Sequence, residues 1–131
     1  IENKPKGFVQ AVSPLDETET EDPSIVKVAV SEDLRIIYLS RCPVPFFQRQ
    51  GQGHVQYIRC MGLYGYSGDF CRSYSGLTAR SLERAEQIEQ LRCLEYGLPI
   101  EPILVEDEGI SVDTCSDLEK IRLRPVEEFQ R

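Results

Sequence analysis

The pair Glu89-Gln90 stands inside Ile88-Glu89-Gln90-Leu91-Arg92, where apolar residues flank it on both sides. A carboxylate only accepts hydrogen bonds and an amide both donates and accepts, so side by side they can hold several hydroxyls of a polyol. The same pair also suits a solvated helix face, and the pentapeptide alone leaves both readings open. Two cations are candidates for gripping a carboxylate: Lys27, within Ile25-Val26-Lys27-Val28-Ala29-Val30, and Arg41, just past Ile36-Ile37-Tyr38-Leu39-Ser40. Arginine does so with two parallel N–H donors and lysine as a point charge, although a basic residue on a strand is as readily a solvated one. Asp113, between Val112 and Thr114 at the mouth of a helix, has two roles open to it. It can cap the helix beside Thr114, or it can be one of the one or two carboxylates that commonly hold Mg²⁺.

The elements that must position these residues alternate between strand and helix. Gly7-Phe8-Val9-Gln10-Ala11-Val12 reads as a short strand running into the acidic loop 16–23, and the two β-rich runs around Lys27 and before Arg41 read as a hairpin. Pro43 and Pro45 end the ladder, and the Gln- and Gly-rich residues 48–53 form a connection that carries the only histidine, His54, at its end. Arg59-Cys60-Met61-Gly62-Leu63-Tyr64-Gly65-Tyr66 predicts a buried strand, its glycines marking close approach of a backbone or ligand, followed by a short helix over 68–74. Leu82, Ala85, Ile88, Glu89, Leu91 and Cys93 with Leu94 recur near helical period, which predicts one helix over 82–96 with Ser81 as N-cap and Gly97 as the stop. A strand over 99–105, an acidic loop with Glu106-Asp107-Glu108 and a last helix from Asp113-Thr114 to about Arg124 complete the chain. This is an α/β pattern with few strands, and no glycine-rich turn onto a helix opens it, as a nucleotide-binding unit normally would.

The 131 residues suit one domain, and 40% hydrophobic content sustains a modest core. A formal net charge of -7 argues against a nucleic-acid partner, while still permitting a local basic pocket for an anion. No run reaches the length of a membrane span, and the start at Ile1, without Met or a leader pattern, is expected not to be the native one. Cysteines at 42, 60, 71, 93 and 115 form no CxxC pair, so neither a zinc cage nor a disulfide framework is indicated. Reduced thiols in a cytoplasmic protein fit that usage.

The order and spacing of these segments resemble the C-terminal half of 3-deoxy-manno-octulosonate cytidylyltransferases, the CMP-Kdo synthetases. The matching residues are Val26-Lys27-Val28; Leu39-Ser40-Arg41 with Pro43 and Pro45; Met61-Gly62-Leu63-Tyr64-Gly65-Tyr66; Ser81-Leu82-Glu83 with Glu86; Ile88-Glu89-Gln90-Leu91-Arg92 with Leu94 and Gly97; and Val112-Asp113-Thr114 with Asp117-Leu118-Glu119. Cys60 stands where that family usually has His, and Cys115-Ser116 where it usually has Pro-Glu.

The resemblance implies an α/β fold, a partial Rossmann-like nucleotidyltransferase sheet with flanking helices, of which residues 1–131 are the sugar-acid-binding and dimerisation half. The nucleotide-binding half, with its basic glycine-containing loop and Gly-Asp-Glu-Pro motif, has no counterpart in this sequence, so the chain alone is expected to be inactive. The resemblance also implies transfer of CMP from CTP to the sugar acid with release of pyrophosphate, Mg²⁺ as cofactor, and a homodimer. It assigns Lys27, Arg41, Tyr64, Glu89 and Gln90 to the sugar acid and Asp113 to the metal. Competing expectations are a non-catalytic binding or assembly module and a cytidylyltransferase for a related sugar acid. Asp113→Asn separates the metal role from the capping role, because Asn caps as well as Asp but lacks the charge that Mg²⁺ needs. In the complete enzyme a metal ligand predicts an almost unchanged melting temperature, a steep fall in turnover and a raised magnesium requirement; full activity at ordinary magnesium would leave only the cap.

Overall fold

The computed structural model describes residues 7–48, 56–106, 112 and 114–125. Five strands occur among them: β1 (Phe8–Pro14), β2 (Lys27–Val30), β3 (Ile36–Ser40), β4 (Ile58–Tyr66) and β5 (Glu101–Leu104). They form one sheet in the order β3-β2-β4-β1-β5. Only the β1–β5 pair is parallel; β1–β4, β2–β3 and β2–β4 are antiparallel. The expected hairpin is β2–β3, closed where Ser31 N–H donates to the Arg35 carbonyl at 2.9 Å and Leu34 takes a positive φ.

The helices are α1 (Gly68–Ser75), α2 (Ser81–Glu86), α3 (Gln90–Glu95) and α4 (Cys115–Arg122). Residues of β1, β2, β3, α1 and α3 share one core with Ile88 and Ile100, in which Leu39, Leu91, Cys93 and Ile100 are wholly buried. Burying a leucine of that kind contributes about 2 kcal/mol, so α3 is held to the sheet mainly by Leu91. A bidentate ion pair joins α2 to α3: Arg92 Nε and Nη2 donate to the Glu83 carboxylate at 2.7 and 2.5 Å. The α4 N-terminus carries a capping box, in which Thr114 Oγ1 accepts from Asp117 N–H and Asp117 accepts from Thr114 N–H.

Four sequence expectations change. First, the helix over 82–96 is two helices, because Gln87 adopts the left-handed conformation at φ 55° between α2 and α3. Second, Ser81 is the first residue of α2 and not its cap. The Glu95 carboxylate does that work, accepting from Ser81 Oγ at 3.0 Å and Leu82 N–H at 3.3 Å. Third, β4 is buried only in part, with Leu63, Tyr64 and Tyr66 exposed, because the sheet covers it on one side along β1 but meets β2 only at Lys27–Arg59. Fourth, close approach applies to Gly65, where a Cβ would meet Val9 Cγ2 at 3.3 Å, and not to Gly62, which faces open space. Gly97 does stop α3: at φ 69° it donates to the Leu94 carbonyl at 2.9 Å, while Leu98 N–H donates to the Cys93 carbonyl.

Across β1 and β4 the register shifts. Gln10 lies opposite Tyr64 and Val12 opposite Cys60, so Met61, Gly62 and Leu63 stand across from Ala11 alone. A bulge of this kind leaves carbonyls without ladder partners and re-aims the side chains that follow. Here the buried Gln10 amide answers it, donating to the Met61 carbonyl at 2.6 Å and the Leu63 carbonyl at 3.1 Å.

Candidate functional site

The break between α2 and α3 is made by a neighbouring strand end. Arg41 follows β3, and its Nε donates to the Glu86 carbonyl at 2.8 Å while Nη2 donates to the Gln87 carbonyl at 3.2 Å. In an unbroken helix these carbonyls would accept from Gln90 and Leu91 N–H. Taken by the guanidinium, they release the chain to turn at Gln87, and Leu91 N–H pairs instead with the Ile88 carbonyl at 3.2 Å. Arg41 Nη1 reaches the Pro23 carbonyl at 2.9 Å, which ties the acidic loop to the same point.

Glu86 answers from the helix side. Its carboxylate accepts from Arg41 N–H at 2.9 Å, Ser40 Oγ at 2.7 Å and the Tyr38 hydroxyl at 3.3 Å. Burial pushes the Glu86 carboxyl up, but the hydrogen bonds from Arg41 N–H, Ser40 and Tyr38 together outweigh it and hold the group below the usual carboxylate range. Lys27 completes the joint. It is fully buried, and its ammonium donates to the carbonyls of Asp22 at 2.7 Å, Ile25 at 2.8 Å and Arg41 at 2.5 Å.

Turning the chain at Gln87 places Glu89 and Gln90 on the wall of a cleft of about 270 Å³. Opposite them stand rings from β1, β4 and α1: Phe8, Tyr64, Tyr66, Phe70 and Tyr74. These rings brace one another. Phe8 meets Tyr64 edge-on at 5.9 Å, Tyr64 stacks on Tyr66 at 6.0 Å, and Phe70 stacks on Tyr74 at 6.3 Å. An apolar wall facing a carboxylate and an amide suits a ligand with one C–H face and one hydroxylated edge. Cys71 and Cys93 also border the cleft; burial pushes the Cys93 thiol up to about 11, so it stays neutral and unreactive. Burial likewise pushes the Cys60 thiol up to about 12, which fits a small apolar residue and not a nucleophile.

Three of the residues singled out from sequence, Tyr64, Glu89 and Gln90, therefore meet in one cleft. Lys27 and Arg41 do not line it. Lys27 was expected to grip a carboxylate; its ammonium is buried, and its three donors face three carbonyls. Arg41 uses Nε, Nη1 and Nη2 on carbonyls, and a guanidinium's five N–H groups leave two more. Asp113 and His54 lie outside the described residues. Sequence reasoning missed Gln10, whose signal was an amide at period two between Phe8 and Val12, and missed what Glu86 does. Among the described residues no three His, Cys, Asp or Glu come together as a metal cage.

A family model described as Cytidylyltransferase matches residues 1–107. The chain belongs to the cytidylyltransferase family. It is 44% identical over 106 residues to the 3-deoxy-manno-octulosonate cytidylyltransferase of Solibacter usitatus, a match covering 81% of this chain and 42% of that protein. With the protein of the same name from Chlorobium limicola it shares 37% identity over 115 residues, 88% of this chain and 46% of the relative. A solved structure of CMP:2-keto-3-deoxy-manno-octonic acid synthetase complexed with CTP superposes with a TM-score of 0.81 at 32% identity, covering 92% of this chain and 48% of that one. This cytidylyltransferase chain thus spans about half the length of the curated relatives it matches.

The Glu86 joint predicts a pH dependence. A carboxyl held below its ordinary value of 4.5 in the folded state stabilises the fold above that value, and the contribution is lost as pH falls through the lower folded value. Urea unfolding of wild type and Glu86→Gln is expected to show a stability gap at neutral pH that narrows as pH falls below about 4.5. A gap independent of pH would show that the charge of Glu86 has no part in it.

Proposed function

We propose that this chain is the sugar-acid half of a cytidylyltransferase that transfers CMP from CTP to 3-deoxy-manno-octulosonate, releasing pyrophosphate, for lipopolysaccharide biosynthesis. The observation that carries the reading is the cleft itself, with Glu89 and Gln90 facing the Tyr64 wall. A sugar acid bound there lays its C–H face on the rings and directs hydroxyls to Glu89 and Gln90. Its own 2-hydroxyl then attacks the α-phosphorus of CTP, the bond to pyrophosphate breaks, and the work of the chain is to hold the acceptor in line.

A carboxylate is repelled by Glu89, so the acid group points away from it, and we assign it to Arg41, which stands outside the cleft lining but has two N–H groups beyond those on carbonyls. The Mg²⁺ of the proposal would offset phosphate charge. The chain's share of the metal is assigned to Asp113, since Mg²⁺ is commonly held by one or two protein carboxylates. We place the reaction in the cytoplasm. No helix among the described residues is long and apolar enough to cross a membrane. A homodimer is part of the same reading, and exposed Leu63, Tyr66 and Phe46 are the apolar surface it would cover.

The test fuses this chain to the part of the Solibacter relative that it does not match and follows pyrophosphate release. Release is expected only with CTP and the sugar acid together. Glu89→Ala is expected to raise KM for the sugar acid by roughly 10- to 100-fold, the cost of one charged hydrogen bond, while KM for CTP stays put. Release without the sugar acid, or an equal rise in both KM values, would overturn the assignment.

A further inference from the structure

Gln10 is wholly buried beneath the cleft, and every polar atom of its side chain has a partner. Its Nε2 faces the carbonyls of Met61 at 2.6 Å, Leu63 at 3.1 Å and Ala11 at 3.1 Å. Its Oε1 accepts from Gln90 Nε2 at 3.1 Å. An amide can usually be turned over at little cost, but not here. Reversal would set Oε1 against three carbonyl oxygens and present N–H groups to the Gln90 amine, leaving buried acceptors unsatisfied. The bulge of β4 therefore dictates which way Gln10 points, and Gln10 dictates which way Gln90 points.

We propose that Gln10 is a positioning residue for the ligand cleft: held in one orientation by the β4 bulge, it fixes the Gln90 amide through Oε1 so that the Gln90 carbonyl oxygen joins the Glu89 carboxylate as a row of acceptors. Such a row selects hydroxyl donors. One N–H of Gln90 is held by Gln10, which leaves the carbonyl oxygen and the second N–H for the ligand. The two ends of the cleft, β4 and α3, are thereby linked through a single amide. The recognition step rests on the sugar-acid reading above, whereas the Gln10–Gln90 link does not.

Two measurements on the full chain test the proposal. The first is NMR of the side-chain amides without ligand. Gln10 and Gln90 are expected to show dispersed NH₂ signals with slow solvent exchange and mutual cross-peaks; averaged shifts and fast exchange for Gln90 would overturn the link, and no variant has to fold for this result. The second is titration with 3-deoxy-manno-octulosonate of wild type, Gln10→Met, Gln90→Met and the double variant. If Gln10 acts through Gln90, each single change weakens binding on the order of tenfold and the double variant is no weaker than Gln90→Met. Additive losses, or a Gln10→Met protein that binds like wild type, would overturn it. Should wild type not bind the sugar acid at all, the recognition step fails with the sugar-acid reading, and the amide spectra alone decide whether Gln10 orders Gln90.

Discussion

The guanidinium of Arg41 on the carbonyls of Glu86 and Gln87 is the contact on which the rest of the site depends. Apolar residues from Leu82 to Leu94 recur as they would along one helix, and local preference alone would run it straight through. A charged donor from the adjoining strand competes for two of the acceptors such a helix requires, and the helix parts there. The grip is itself held in place. Lys27 binds the Arg41 carbonyl from within the sheet, and Glu86 accepts from the Arg41 N–H, so backbone and side chain of one residue are fixed from both sides. A buried charge is tolerable only when paired, and the ammonium of Lys27, the buried cation of the joint, finds three carbonyls.

The break has a consequence for chemistry. Glu89 and Gln90 sit at the start of α3 instead of the middle of a long helix, and the turn at Gln87 presents both to the aromatic wall. On the opposite side the β4 bulge sets Tyr64 after an irregular stretch, again by giving up regular pairing. Helix and sheet each depart from regularity where they border the cleft, and in each case a polar side chain, Arg41 or Gln10, takes the carbonyls that the departure exposes. The overall charge of -7 is compatible with an anionic ligand because recognition is local: the acceptors lie on one wall and the cationic joint lies off it.

Most of the framework was legible in the sequence. Alternating β-branched residues gave the β2–β3 hairpin, Ser67 and Gly68 opened a helix where one was expected, and Gly97 marked the end of α3 through its positive φ. The grouping of Tyr64, Glu89 and Gln90 was legible only through the family resemblance, since 25 residues of chain from Tyr64 to Glu89 hide their proximity. The helix break was not legible, because its cause is a residue 46 positions away from Gln87 and periodicity reports only local preference. The surroundings of Lys27 were hidden for a related reason. A lysine on a strand reads as a surface charge, and nothing local announces that three carbonyls converge beneath it.

Removing the grip of Arg41 should change the conformation of Gln87. In Arg41→Ala, the ¹³Cα shifts and backbone couplings of residues 87–89 should move from left-handed and turn values to helical ones, joining α2 to α3 and drawing Glu89 away from the cleft. A Gln87 that keeps its left-handed signature in a folded Arg41→Ala protein would contradict the claim that this contact breaks the helix.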